Sequence, residues 1–230
     1  MKLSRFLYHQ TPYGKYEVRR IIAAGRVYVD DEQERDGQRQ VGDFSKITLD
    51  EIILNHRIPI YLMLNKPAGY LSATIDHEHP TVMELIDQSD ALHIAGRLDR
   101  ASTGLLLLTN DGKWSRRLTE PKEKVAKVYQ VTTAEPIHEK TAKYFQQGIY
   151  FAYEDLTTQP ADLEIHSRQS ARVTIYEGRY HQIKRMFHAV GNRVTSLHRL
   201  SIGSIQLDQA LEPGNYRALT QEEVDSAWRE

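Results

Sequence analysis

The apolar run Leu105 to Leu108 is bounded by Gly104 before it and by Asn110-Asp111-Gly112 after it. A short continuous apolar run between turn signals reads as a strand buried on both faces. A second apolar segment, Leu92 to Ala95, leads into the polar stretch between the two. There a single carboxylate, Asp99, stands between Arg97 and Arg100. The pattern places an acid flanked by arginines on a loop at the mouth of a core strand. Loops held by rigid strands are where chemistry tends to sit. The same spacing also suits a structural loop whose acid merely pairs with its arginines.

Residues 1–57 read as a separate small module and 58–230 as a larger domain, with His56-Arg57-Ile58-Pro59 as linker. In the module, Leu3, Phe6 and Leu7 fall at helical spacing with Lys2 and Arg5 off that face. Thr11-Pro12-Tyr13-Gly14 breaks the helix. A second helix runs from about Tyr16 to Ala24, with Val18, Ile21 and Ile22 on one face, Arg19 and Arg20 outward and Gly25 as its cap. Arg26 to Asp30 alternates as a strand, residues 31–40 read as polar loop, and Ile47 and Leu49 begin another strand.

In the larger domain, Ile60 to Leu64 reads as a strand ending at Lys66-Pro67-Ala68-Gly69, where Pro67 and Gly69 force a turn. Pro80-Thr81 starts a short helix with Val82, Leu85 and Ile86 inward. Trp114 to Leu118 reads as a helix with Arg116 and Arg117 exposed. Lys127 to Thr132 alternates, with Lys127, Tyr129 and Val131 sharing one face. A helix from about Ile137 to Gln147 closes at Gly148. Strands follow at 148–152, 161–165 and 172–176. Ile183, Met186, Phe187 and Val190 mark the buried side of a helix, with Lys184 at its edge or opposite side. Val194 to Leu200 reads as a strand continued by Ile205 to Leu207. Thr220 with Glu223 forms a capping box for a terminal helix.

Of 230 residues, 40% are hydrophobic and 27% charged, which suits a protein with a packed core. The absence of cysteine excludes disulfides, thiolate metal sites and thiol nucleophiles. The first residues lack an apolar signal core, and no apolar run approaches the roughly 20 residues of a membrane span. A cytoplasmic location away from membranes is expected. Net charge is −1, but its distribution is uneven. Residues 113–128 carry Lys113, Arg116, Arg117, Lys122, Lys124 and Lys127, and residues 172–200 carry Arg172, Arg179, Lys184, Arg185, Arg193 and Arg199 with His181, His188 and His198. Two basic clusters in a neutral chain suit either a basic face or a solvated surface of alternating charge.

Ile21 to Asp30 and Val41-Gly42-Asp43, following two short helices, resemble the S4 RNA-binding module, although Gly14-Lys15 stands where that family usually has Ser-Arg. Arg5, Arg19, Arg20 and Arg26 are the RNA contacts this resemblance implies. Three further segments stand together: Lys66-Pro67-Ala68-Gly69; Gly96-Arg97-Leu98-Asp99 with Thr103-Gly104-Leu105-Leu106; and Glu177 to Phe187. They resemble the Rsu branch of the pseudouridine synthases, which carries an N-terminal S4 module. The resemblance spans nearly the whole chain. The segment from Glu177, with Ala189 to Asn192 and Leu197 to Arg199, is most similar to the branch acting on 16S rRNA of the small subunit.

The resemblance implies an α+β catalytic domain with a mixed, largely antiparallel sheet flanked by helices, beside a small S4-like domain. It implies isomerisation of uridine in RNA without cofactor or metal, by a monomer acting on ribosomal RNA or an assembling ribosomal particle. Asp99 corresponds to the nucleophile, which either attacks the ribose carbon or abstracts a sugar proton; both remain open. Lys184 corresponds to the cation that keeps it ionised, as a point charge rather than a fork. Tyr129 corresponds to a tyrosine that stacks on the uracil and assists loss of the C5 proton. Leu197 corresponds to an apolar lining of the base pocket. The uridine must leave its stack to react. Arg97, Arg100, Arg179 and Arg185 are then expected at phosphates, with Lys66 at the entrance. Rival readings are a synthase of the same branch acting on 23S rRNA, a non-catalytic S4-type assembly factor, and a glycoside hydrolase. The last needs a second positioned acid, which no comparable motif supplies.

Overall fold

The computed structural model describes residues 1–87 and 92–229. The chain divides into two compact units, Met1–Pro59 and Ile60–Glu230, just beyond the 57/58 boundary read from the sequence. In the first unit, α1 (Leu3–Gln10) and α2 (Lys15–Ala23) bury Leu3, Leu7, Val18, Ile21 and Ile22. Each such side chain contributes roughly 1.5–3 kcal/mol of burial, which holds helices too short to persist alone. Gly25, at φ +72°, ends α2.

The stretch expected to be polar loop instead contains a strand. β1 (Val27–Val29) turns through Asp30 and Asp31, both at positive φ, into antiparallel β2 (Glu32–Glu34). β3 (Ile47–Leu49) turns in the same way through Asp50 and Glu51 into β4 (Ile52–Asn55). Two positive-φ residues give a hairpin whose twist matches its strands, and aspartate tolerates that region better than most residues. β2 shows no apolar alternation because both its faces are polar and largely exposed. The sheet order is β2-β1-β3-β4.

The second unit holds a nine-stranded sheet. Its elements in chain order are β5 (Tyr61–Lys66), β6 (His93–Ala95), β7 (Thr103–Thr109), α3 (Gly112–Thr119), β8 (Lys127–Thr133), α4 (Lys140–Gln147), β9 (Tyr150–Phe151), β10 (Leu156–Thr157), β11 (Asp162–Ser167), β12 (Ser170–Ile175), α5 (Gln182–Ala189), β13 (Val194–Ile202), β14 (Ile205–Gln206), β15 (Tyr216–Ala218) and α6 (Gln221–Ser226). The main order is β11-β12-β8-β13-β7-β5-β15, with β14 on β13 and β6 on β7, while β9 and β10 form a separate hairpin. Among the described strands of this sheet, β13 with β7 is the parallel pair and the rest are antiparallel. The expected mixed, largely antiparallel sheet flanked by helices is therefore present.

β7 is the hinge of the packing. Leu106 and Leu108 enter one core with Phe145 of α4 and Ile183, Met186 and Phe187 of α5. Leu105 and Leu107 enter the opposite core with Trp114 and Leu118 of α3 and Val224 of α6. Alternate side chains point to opposite faces, so an unbroken leucine run is what a strand covered on both sides requires. Asp111 caps α3 by accepting from the backbone N–H groups of Lys113 and Trp114.

Several local expectations shift. A 3-10 turn, Val82–Leu85, follows Thr81, so Pro80 precedes it rather than opening it. α4 begins at Lys140, later than Ile137. Arg117, expected exposed, is partly buried and pairs with Glu123. Ile205 does not continue β13: the chain reverses at Gly203-Ser204 and β14 folds back on it. Among the described residues, no helix is long and apolar enough to cross a membrane.

Candidate active site

The loop from Gly96 to Ser102 joins β6 to β7 and is tied down from below. Ser72 Oγ accepts from the Leu98 N–H at 3.1 Å and donates to the Leu98 carbonyl at 2.8 Å. The Gly69 N–H donates to the Arg100 carbonyl at 2.9 Å. Lys66 Nζ donates to the carbonyls of Pro67, Arg100 and Ser102 at 3.0, 3.2 and 2.8 Å. Lys66 was expected at the cleft entrance. It is instead fully buried, because β5 carries it inward and three carbonyls use its three N–H groups. Burial pushes its pKa down to about 8, against the pull of nearby Asp99.

A second tie comes from β13. The Arg199 guanidinium, also buried, donates to the carbonyls of Leu105 at 2.8 Å, Gly96 at 2.7 Å and Arg97 at 3.4 Å. Its remaining reach is to the Tyr129 hydroxyl at 3.5 Å. One planar fork thus ties the start of the loop to β7 and to the neighbouring strand β8. β13 crosses β7 so closely that a Cβ on Gly104 would stand 2.4 Å from the Arg199 carbonyl oxygen.

Asp99 projects from the loop, one-quarter exposed. Lys184 Nζ donates to its Oδ2 at 2.7 Å, and His181 Nε2 lies 3.2 Å from its Oδ1. Both partners come from the start of α5. His181 is the residue before the helix, at φ +50°, and its ring stacks on Tyr180 at 3.9 Å between centroids. Buried Glu177 sets this approach. One oxygen accepts from the Gln159 N–H and Gln182 Nε2, each at 2.9 Å, and the other from Arg179 Nε at 2.9 Å. A buried carboxylate with such partners is stabilised rather than left orphaned.

Tyr129 and Leu197, on adjacent strands β8 and β13, line the same cleft of about 700 Å³ as Asp99. Lys127 lies two residues before Tyr129, buried, with Nζ donating to the Val125 carbonyl at 2.9 Å. Burial lowers its pKa to about 8. The cleft therefore holds a carboxylate partly out of water, with Lys184 bonded to one oxygen and His181 close to the other. That group could attack an electrophilic carbon or take a proton, beside a tyrosine and a leucine able to cover a flat ring.

The arginines divide. Arg97, Arg100 and Arg179 line the cleft and are exposed. Arg185, expected there as well, is held elsewhere: it forms a two-nitrogen pair with Glu154 and lies 3.7 Å from the centre of the Phe151 ring. The basic clusters are also partly neutralised or buried. Arg117 pairs with Glu123, Lys122 with Glu120 and Arg172 with Glu164, while Lys127 and Arg199 face inward. In the first unit Arg5, Arg19 and Arg20 are exposed. Arg26 pairs with Asp50 through two nitrogens, which fastens the start of β1 to the β3–β4 turn rather than leaving a free cation. Among the described residues, no group of three or more His, Asp or Glu side chains is disposed to hold a metal ion.

His181, Lys127 and Arg199 were given no site role from the sequence. A sharper signal existed for two of them. Lys127 shares an alternating face with Tyr129 and Val131, and Arg199 shares one with Leu197 and Ser201. A cation on the inward face of a strand implies acceptors brought from elsewhere.

The sequence profile described as RNA pseudouridylate synthase matches residues 60–189. A relative named ribosomal small subunit pseudouridine synthase A, from Pseudomonas aeruginosa, is 48% identical over 229 residues, covering 98% of this chain and 100% of the relative. A relative of the same name from Escherichia coli K12 is 44% identical, covering 98% and 99%. A crystal structure of a pseudouridylate synthase aligns with a TM-score of 0.72 at 38% identity, covering 99% of each chain.

Proposed function

The chain belongs to the RNA pseudouridylate synthase family, and on that premise we propose that it converts a uridine of small-subunit ribosomal RNA to pseudouridine. The observation that carries the site assignment is the contact of Lys184 Nζ with Asp99 Oδ2 at 2.7 Å in a cleft that Tyr129 and Leu197 also line.

Asp99 acts as nucleophile or as base toward the ribose. It needs a cation to stay charged away from bulk water, and Lys184 supplies it. Tyr129 and Leu197 cover the flipped uracil, whose extraction from the stack Arg97, Arg100 and Arg179 stabilise by gripping the flanking phosphates. Lys66 and Arg199 act beneath the loop, holding the carboxylate where the sugar arrives. The chemistry is an isomerisation, so atoms are conserved overall.

The first unit serves as an S4-like RNA-binding domain through exposed Arg5, Arg19 and Arg20. A two-helix unit with exposed arginines on both helices supports this role. The protein works as a monomer on ribosomal RNA or an assembling particle, in the cytoplasm where that substrate is made.

Pseudouridine mapping in ribosomal RNA from cells with and without the gene tests the proposal. Loss of one site in 16S rRNA is expected. Loss in 23S rRNA would redirect the target, and no change in either would defeat the proposal.

A further inference from the structure

His181 is a cleft side chain to which the roles above give no part. Its ring Nε2 stands 3.2 Å from Asp99 Oδ1 while Lys184 occupies Oδ2. A carboxylate oxygen accepts only, so a proton on Nε2 suits this approach and leaves Nδ1 as the ring nitrogen able to accept one. Stacking on Tyr180 fixes the ring plane, and the Glu177 network fixes the backbone from which it projects. The ring is about one-third exposed and lines the cleft.

Uridine and pseudouridine are isomers, so one proton must leave C5 of the base and one must arrive at N1. We propose that His181 carries that proton and is a further catalytic residue of the reaction assigned above, on which this inference rests. Once C5 is bonded to C1′, the C5–H bond breaks and its electron pair restores the C5=C6 double bond. The former N1=C6 pair moves to N1. The imidazole takes the proton and returns it to N1, so nothing is gained or lost overall.

The surroundings favour the histidine over Tyr129 for this step. Tyr129 is 7% exposed and its hydroxyl oxygen is occupied as acceptor by the Arg199 guanidinium at 3.5 Å, whereas the His181 ring is about one-third exposed on the cleft. The groups facing His181 are Asp99 from the loop, Lys184 from α5, Tyr180 beside it, and the arginines Arg97, Arg100 and Arg179 lining the cleft. Of these, Asp99 is the anion that stabilises an imidazolium. That carboxylate is negative again once its work on the sugar is complete, when the C5 proton must leave. A carboxylate behind an imidazole is a familiar way to hold a proton carrier in place.

The test compares wild type with His181→Gln and His181→Asn on a small-subunit ribosomal RNA transcript bearing hydrogen or deuterium at uridine C5. Asparagine suits the positive φ at this position, and glutamine keeps the reach of a donor to Asp99. Intact RNA binding verifies folding of each variant. Both are expected to lose about 10²-fold or more in kcat with little change in KM, and to acquire a C5 deuterium isotope effect that wild type lacks. If His181 merely orients Asp99, glutamine will retain activity and neither variant will show the isotope effect, which overturns the proposal. An isotope effect in Tyr129→Phe instead would assign the proton to the tyrosine and likewise overturn it. A wild-type protein that forms no pseudouridine would defeat the functional assignment itself, a result separable from the other two.

Discussion

Lys184 and Asp99 lie 85 positions apart and meet at 2.7 Å, the ammonium donating to Oδ2. The helix bearing the lysine is anchored by Ile183, Met186 and Phe187 in the same core that receives Leu106 and Leu108 of β7. The strand that holds the acid and the helix that holds its counter-charge are thus two walls of one apolar core. The side chain of each is only partly exposed, 25% for Asp99 and 30% for Lys184, so the pair is less screened than one fully in water.

Asp99→Asn should abolish pseudouridine formation while RNA binding persists. The amide keeps the size and most hydrogen bonds of the carboxylate but can neither attack nor take a proton. Loss of a nucleophile typically costs about 10⁴-fold or more. Single-turnover assays on ribosomal RNA, with binding measured in parallel, would check this. Normal activity in the purified variant would sink the assigned chemistry.

Lys184→Met should cost far more activity than Lys184→Arg. Methionine fills the space but removes the ammonium bonded to Asp99 Oδ2, whereas arginine restores a full charge with altered geometry. A drop in kcat of roughly 10²-fold for methionine and a smaller drop for arginine is expected. Equal effects of the two substitutions would show that charge at this position does not matter.

Arg199→Met should destabilise the protein by roughly 2–4 kcal/mol in urea unfolding. The carbonyls of Gly96 and Leu105 would lose their buried donor, at about 1–3 kcal/mol each, partly offset by removal of a buried charge. Activity should fall further than stability alone explains, because the Asp99 loop loses its tie to Tyr129.

Gly104→Ala should be among the costliest single-methyl additions in the chain, above about 2 kcal/mol. The position has φ +99° and the added Cβ would meet the Arg199 backbone oxygen at 2.4 Å and nitrogen at 2.7 Å. Neither partner is a flexible side-chain end that could swing aside. A thermal midpoint equal to wild type would contradict the close crossing of β7 and β13.

Lys127 predicts a pH dependence. Its folded pKa is about 8, below the ordinary lysine value of 10.5. Between these two values the unfolded chain binds more protons than the folded one, so stability rises with pH across that window. The cost of holding the buried charge is fully felt below pH 8 and is of order 3 kcal/mol at most. Lys127→Met does not titrate there. The stability of wild type relative to this variant should increase from pH 8 toward pH 10 in urea titrations, and a flat difference would refute the buried charge.

Local pattern determined much of this protein. The leucine run between Gly104 and Asn110 was enough to place a strand covered on both faces, and the acid before it was enough to mark a loop worth examining. The face shared by Lys127, Tyr129 and Val131 followed from alternation alone, and Ile183, Met186 and Phe187 followed from helical spacing. The mixed sheet followed from the family resemblance of the motifs. Tertiary structure decided what each charge does. Lys66, Arg185 and Arg26 looked like surface cations, yet one feeds three carbonyls under the loop and two are closed by Glu154 and Asp50. The hairpin strand β2 and the contact of His181 with Asp99 were likewise invisible. The physical reason is common to all of them. Apolar periodicity reports burial because burial of a hydrocarbon needs no particular partner, whereas a charged side chain is buried, paired or free according to acceptors that the fold brings from distant parts of the chain.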